Sequence, residues 1–260
     1  MVSRIVRKLH KGIMKASKNR LGNFVVRRVS KRKGFYLLHY PNDLRDLRRK
    51  LLPGDVLLVD GDHGISDWIK IYSSHTWSHC AIFVGEQFRW GVTYPKEFAE
   101  DQPNLIEAIM GKGVILGNLE KYENCNLRIC RPRNLTRSQR ETVIRWVLSK
   151  VGLPYDLENV LQFIGLPFDE TMPPTSDIGE SGSAGYTCSS LLAAAFGQVG
   201  LDVLHYYDKK AKVVVPYHCS QVQPKDFDLS PNFDIIKIHP AAYRKPSRPF
   251  RSWFARQKTA

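Results

Sequence analysis

Residues 185–200 read GYTCSSLLAAAFGQVG, and this stretch governs how the rest of the chain is read. Leu191, Leu192, Ala195, Phe196 and Val199 recur at helical spacing, Thr187 stands where an N-cap belongs, and Gly200 stops the run. The spacing predicts a short core helix with Cys188 in its first turn. A thiol there meets unpaired backbone N–H groups and the positive end of the helix dipole, both of which favour thiolate over thiol. The same N–H groups are placed to hold an oxyanion. Two roles are open for Cys188: a small apolar packing residue, or a nucleophile, which needs a base and a third group to orient that base.

The chain has 260 residues, 43% hydrophobic and 11% aromatic, enough for one good core with appendages, which excludes disorder throughout. No stretch approaches the roughly 18 consecutive apolar residues of a membrane span. The basic start lacks the apolar run of a secretory signal, so a cytoplasmic protein is expected, or one exported by another route. Cysteines stand at 80, 125, 130, 188 and 219, an odd number without CxxC spacing. Neither a disulfide framework nor a metal site is indicated, the five are expected to be reduced thiols, and no cofactor is implied.

A net charge of +14 suggests nucleic acid until it is divided along the chain. Residues 1–50 hold 16 Lys and Arg against two acids, and residues 241–260 hold six against none. Taking those 22 from the 39 basic residues, and the two acids from 25, leaves 17 against 23 in the middle, a net of −6. The basic character belongs to two tails and the remainder is mildly acidic. On a helical wheel of residues 2–18, Val2, Ile5, Val6, Leu9 and Ile13 share one side, opposite Arg4, Arg7, Lys8, Lys11, Lys15 and Lys18. Such a helix suits an anionic membrane surface through residues 1–20, giving a peripheral location, and equally suits packing on its own domain with a solvated basic face. The helix offers no aromatic or amide base readers, which disfavours nucleic acid as a partner. The C-terminal tail mixes Arg with Tyr243, Phe250, Trp253 and Phe254, a composition that fits an interface or a loose end.

Between the tails the texture is strand after strand. LLPGDVLLVDG at 51–61 gives a Pro53-Gly54 turn and a strand over 55–59. After a loop with a short helix around 66–72, SHCAIFVGE is a buried strand opening at His79. Strands follow at 105–109, 114–116 and 126–132. Short turns between them predict a mainly antiparallel, curved sheet in an α+β fold. Thr136 and Ser138 offer capping boxes for a helix that Gly152 and Pro154 close, a second helix is expected over 157–164, and 233–239 is a last strand. The chain thus divides into a basic tail over 1–50, a folded domain over 51–240 and a basic aromatic tail over 241–260.

Of eight histidines, His79 alone opens a strongly apolar strand, where a sheet pins the ring while its edge faces a cleft. Glu107 alternates with Ile106 and Ala108 on the next strand, 28 residues on. If the two strands pair, Glu107 accepts from one ring nitrogen of His79 and leaves the other for Cys188, the logic of a catalytic triad. A structural reading of each residue stands beside this one.

The succession LLPGDVLLVDG, TWSHCAIFVGE, NLIEAIMGKGV, VGLPYD and GYTCSSLLAAAFGQVGL resembles the circularly permuted NlpC/P60 proteins of the papain-like superfamily, in the YaeF/YiiX-like group. These are distant relatives of the lecithin retinol acyltransferases. The resemblance covers residues 50–240 and lies in the order of the motifs. It implies a permuted papain-like fold, Cys188 as nucleophile, His79 as base and Glu107 as the third polar residue. It also implies substrate-binding roles for Tyr186 and Trp77, while Asp55 recurs in the family and is equally explained by a turn. The implied enzyme is a cysteine amidase, peptidase, acyl hydrolase or acyltransferase working through a thioester on a small-molecule, lipid or peptide substrate; a lipid or N-acyl amide or ester is expected, and the alternatives are a peptidoglycan-peptide amidase or endopeptidase and a non-catalytic membrane- or nucleic-acid-binding module. The tails and the insertion FRWGVTYPKEFAEDQPN fall outside the pattern.

Overall fold

The computed structural model describes residues 42–61, 66, 70, 74–85, 103–156 and 185–238. The basic helix read at 2–18, the C-terminal tail, the helix read at 157–164 and most of that read at 66–72 lie outside the described residues.

Six strands form one sheet: β1 (Val56–Asp60), β2 (His79–Phe83), β3 (Leu105–Ile109), β4 (Gly113–Gly117), β5 (Asn126–Pro132) and, last in sequence, β8 (Phe233–Ile236). Their order is β4-β3-β2-β1-β5-β8 with every pair antiparallel, as the short turns predict. The runs VLLV and CAIF within β1 and β2 are apolar throughout because helices or loops cover both faces of the sheet. Period-two alternation then divides their side chains between two clusters. Val56, Leu58, Cys80, Ile82, Ile106, Ala108 and Leu116 face α2 (Arg137–Leu148) and α3 (Cys188–Gly197). Leu57, Val59, Ala81, Phe83, Leu105 and Ile129 face the other way, against Leu47 of α1 (Leu44–Lys50) and Leu119.

Two helix starts follow the sequence closely. Thr136 and Gln139 form a capping box at α2, and Thr187 and Ser190 form one at α3. The end of α2 comes earlier than Gly152 would place it. The helix stops at Leu148, where Ser149 Oγ donates to Trp146 O at 2.6 Å and tight turns carry the chain back to β4. The last strand also stops short, at Ile236.

Several elements carry no clear sequence signal. Helix α1 is capped by Asp43 and lies in a charged run, LRDLRRK, where only Leu47 is fully buried among its apolar residues. A two-stranded sheet, β6 (His205–Asp208) with β7 (Val213–Pro216), stands apart from the main sheet, and α4 (Pro224–Leu229) starts on a proline at its first position. Among the described residues no helix is long and apolar enough to cross a membrane.

Candidate active site

The strand pairing places His79 and Glu107 on one face. Strands β2 and β3 pair through Ile82↔Ile106 and Phe83↔Leu105, so the continued register sets Glu107 diagonal to His79. His79 Nε2 lies 2.8 Å from Glu107 Oε2, so Nδ1 is the ring nitrogen left for a second partner. Cys188 is the first residue of α3, packed on the opposite face of the sheet, and its side chain lies beside that of His79, each shifting the other's charge state. A residue at a strand's very end can reach both faces, and His79 does so. The structure therefore brings Cys188, His79 and Glu107 together in one chain of contacts.

Glu107 is 0% exposed and depends on more than His79. The hydroxyl of Tyr122 donates to Oε2 at 2.5 Å and Lys121 Nζ pairs with Oε1 at 2.5 Å. Both residues come from a 3-10 turn over Leu119–Tyr122, capped by Asn118 and tied down by Leu119 N–H to Asn104 Oδ1 at 2.9 Å. Gly117 makes room for the pair: a Cβ there would overlap Glu107 Oε1 and sit 2.9 Å from Lys121 Nζ. Sequence reasoning missed Lys121, Tyr122 and Gly117, because their role exists only once β4 lies beside β3.

The electrostatics follow from these contacts. Burial would raise the Glu107 carboxyl, but the charge of Lys121 and the hydrogen bond and charge of His79 outweigh it and hold the pKa at about 2. Burial likewise pushes the His79 imidazole down, and the hydrogen bonds and charges of Cys188 and Glu107 lift it to about 9. The Cys188 thiol is pulled well below its ordinary range, first by a hydrogen bond from the Cys80 side chain, then, against burial, by His79 and by the Cys80 backbone N–H. The resting state that these shifts favour is a thiolate–imidazolium pair with an ionised carboxylate behind it.

The strap VGLPYD aligns the helix that carries Cys188. Val114 N–H donates to Leu153 O at 2.9 Å and Tyr186 N–H to Pro154 O at 3.1 Å, so residues 153–156 bridge β4 to the entry of α3. Gly185 permits that approach, since a Cβ there would come within 2.5 Å of Pro154 O and 2.9 Å of Asp156 N. Ser189 Oγ donates to Val222 O at 2.6 Å and anchors the same turn from the other side.

Tyr186 and Trp77 sit beside the site but face inward. Tyr186 is 0% exposed, edge-on to Trp146 with centroids 5.9 Å apart. Trp77 is 6% exposed, with its indole N–H on Asp228 Oδ2 at 2.9 Å and the Arg128 guanidinium over its ring. Asp55 has a structural explanation: Arg131 donates to both its oxygens, at 2.9 and 2.7 Å, and Leu52 N–H donates at 2.8 Å. A cavity of about 500 Å³ lined by Arg133, Val199, Gly200 and His205 borders the far end of α3 from Cys188. Among the described residues no group of three or more His, Cys, Asp or Glu is placed to hold a metal ion.

Comparison with known proteins agrees with the order of these elements. Residues 50–236 match the family described as permuted papain-like amidase enzyme, YaeF/YiiX, C92 family. Among solved structures the chain is similar to the metalloprotein yiiX from Escherichia coli O157:H7, at 13% identity and a TM-score of 0.44, covering 72% of this chain and 97% of that one. No curated protein matches the chain.

Proposed function

The chain belongs to the permuted papain-like amidases of the YaeF/YiiX, C92 family, and from that premise we propose that it cleaves an N-acyl amide or ester, on a lipid or acyl-amine substrate, through a thioester on Cys188. The observation that carries the reading is the continuous contact from Glu107 through His79 to Cys188.

In this mechanism the Cys188 thiolate attacks the carbonyl carbon. The backbone N–H of Cys188, at the first position of α3, donates to the oxyanion. The His79 imidazolium gives its proton to the departing amine or alcohol, and the neutral ring then takes a proton from the water that opens the thioester. Glu107 keeps Nε2 engaged, so that Nδ1 stays aimed at sulfur in both half-reactions. An amine or hydroxyl in place of water makes the same intermediate an acyl transfer. Two features support a lipid or acyl substrate: the amphipathic basic segment at 2–18 suits an anionic bilayer, and the motif order resembles acyltransferase relatives. The enzyme would then work peripherally on a membrane from the cytoplasmic side.

The test is intact-mass spectrometry after incubation with activated acyl esters, N-acyl amines and short peptides, with wild type beside Cys188→Ala and His79→Ala. Wild type is expected to gain an acyl mass from the lipid-like substrates and both variants to gain none. An adduct from peptides alone overturns the substrate class, and no adduct with a Cys188 that ignores iodoacetamide at pH 6 overturns the enzyme.

A further inference from the structure

Cys80 has no part in the chemistry described above, yet it touches the nucleophile. It follows His79 in β2, and strand alternation turns its side chain to the opposite face, beneath α3. There it shares one buried cluster with Cys188, and its thiol and backbone N–H are among the groups beside Cys188 that hold that thiol down. Each of the two sits on a rigid element: Cys188 is the first residue of a capped helix and Cys80 lies within a central strand.

The two differ in access and in state. Cys188 is 6% exposed and held toward the thiolate, whereas Cys80 is 0% exposed and its thiol is pushed up by burial and by Cys188 itself. An oxidant therefore meets Cys188 first. Cys130 lies on β5, separated from β2 by β1, with burial pushing its thiol up to about 12. Cys125 belongs to the cluster on the other face of the sheet.

Resting on the reading of Cys188 as nucleophile, we infer that Cys80 is a resolving thiol, so that peroxide converts the active site into a reversible Cys80–Cys188 disulfide. In the first step the Cys188 thiolate attacks a peroxide oxygen and the O–O bond breaks. Sulfur is oxidised to the sulfenic acid, and the departing oxygen leaves as water or an alcohol after taking a proton. In the second step Cys80 sulfur attacks Cys188 sulfur, the S–O bond breaks, and the Cys80 proton leaves with the hydroxide as water. Loss of the Cys188 negative charge in the first step removes one of the influences that kept Cys80 protonated. The disulfide blocks catalysis and shields Cys188 from the irreversible sulfinic acid, and a dithiol reductant restores both thiols.

The experiment exposes the full chain to a small excess of hydrogen peroxide and follows it by intact mass and non-reducing peptide mapping. Wild type is expected to lose about 2 Da, to yield a linked pair of peptides holding Cys80 and Cys188, and to lose Cys188 alkylation until dithiothreitol returns it. Cys80→Ser and Cys80→Ala are expected to gain about 32 Da at Cys188 instead, with no recovery by dithiothreitol. A wild type that proceeds to the sulfinic acid with Cys80 still free, or that links Cys188 to Cys130 or Cys219, overturns the proposal. Untreated protein separates this outcome from failure of the hydrolase reading. If Cys188 alkylates readily at pH 6 and loses that reactivity in His79→Ala, but no Cys80 link forms, only the switch is lost. If Cys188 is inert before any peroxide is added, both fail.

Discussion

Two carboxylates lie fully buried against the same sheet and are used in opposite ways. Asp55, just ahead of β1, is gripped by Arg131 and the Leu52 N–H. Glu107, in the middle of β3, is gripped by Lys121, Tyr122 and His79. Both are 0% exposed, so burial does not separate them. The partners do. A guanidinium keeps its proton at any ordinary pH, so the Asp55 pair can only hold the turn at 52–55 to β5. His79 changes charge within the working range, and its other nitrogen faces Cys188. In the proposed mechanism a buried carboxylate serves chemistry through its neighbour's second contact. The two pKa shifts express the same difference: burial wins at Asp55 and raises it, while Lys121 and His79 win at Glu107 and hold it at about 2.

Removing each charge in turn tests that contrast most severely. Glu107→Gln is expected to slow formation of the acyl-enzyme by roughly a hundredfold to ten-thousandfold while the protein stays folded, because the amide no longer favours the imidazolium. Asp55→Asn is expected to leave the rate per folded molecule within about twofold and to cost about 1–3 kcal/mol of stability in urea, since it weakens the Arg131 clamp. A comparable loss of rate in both variants would erase the distinction.

Acid and alkaline limbs sharpen it further. The Glu107 carboxyl is depressed from 4.5 to about 2, so its contribution to stability is present above 4.5 and is lost as pH falls toward 2. His79 is raised from 6.5 to about 9, so its contribution is complete below 6.5 and is lost as pH rises through 9. Asp55, raised, has the sign opposite to Glu107: it favours the fold when protonated, and that contribution fades as pH rises. Acid unfolding followed by circular dichroism should therefore flatten in Glu107→Gln and not in Asp55→Asn. In Cys188→Ala the His79 ring, titrated by NMR, should fall from about 9, because the hydrogen bond and charge of Cys188 lead the influences that raise it. An unmoved ring would mean that the two do not form an ion pair.

Lys121 tests the clamp from behind. Lys121→Met should raise the Glu107 carboxyl and slow acylation roughly tenfold, most strongly at the acid end of the profile, with Lys121→Arg recovering most of the loss. A pH-independent loss that Arg does not recover would point to packing alone. The smallest effect is expected at Cys80. Cys80→Ala should lower the rate of Cys188 alkylation at pH 6 by a few-fold and shift its pH profile upward, and Cys80→Ser, which keeps a donor, should shift it less. Identical profiles would show that the thiol contributes nothing to the resting thiolate.

How much of this could be read from the chain depends on whether a feature is local. The capping box at Thr187, the apolar periodicity through Leu191 and Phe196 and the short turns between strands are properties of neighbouring residues, so the helix, most strands and the antiparallel sheet were legible. The positions of His79, Glu107 and Cys188 were legible as an order of motifs. Helix α1 was hidden by its charges, because its buried side is little more than Leu47. The inward turn of Tyr186 and Trp77 was hidden as well, since an aromatic beside a nucleophile has the same sequence whether it lines a cleft or fills a core.

By itself, then, the sequence determined the elements, their caps and the residue types that the chemistry needs, because each follows from contacts within a few residues. Tertiary structure alone decided which groups share a charge. Lys121 and Tyr122 reach Glu107 only because β4 folds back beside β3, and Cys80 reaches Cys188 only because a strand turns successive side chains to opposite faces. Electrostatic coupling falls off with distance through space and takes no account of distance along the chain.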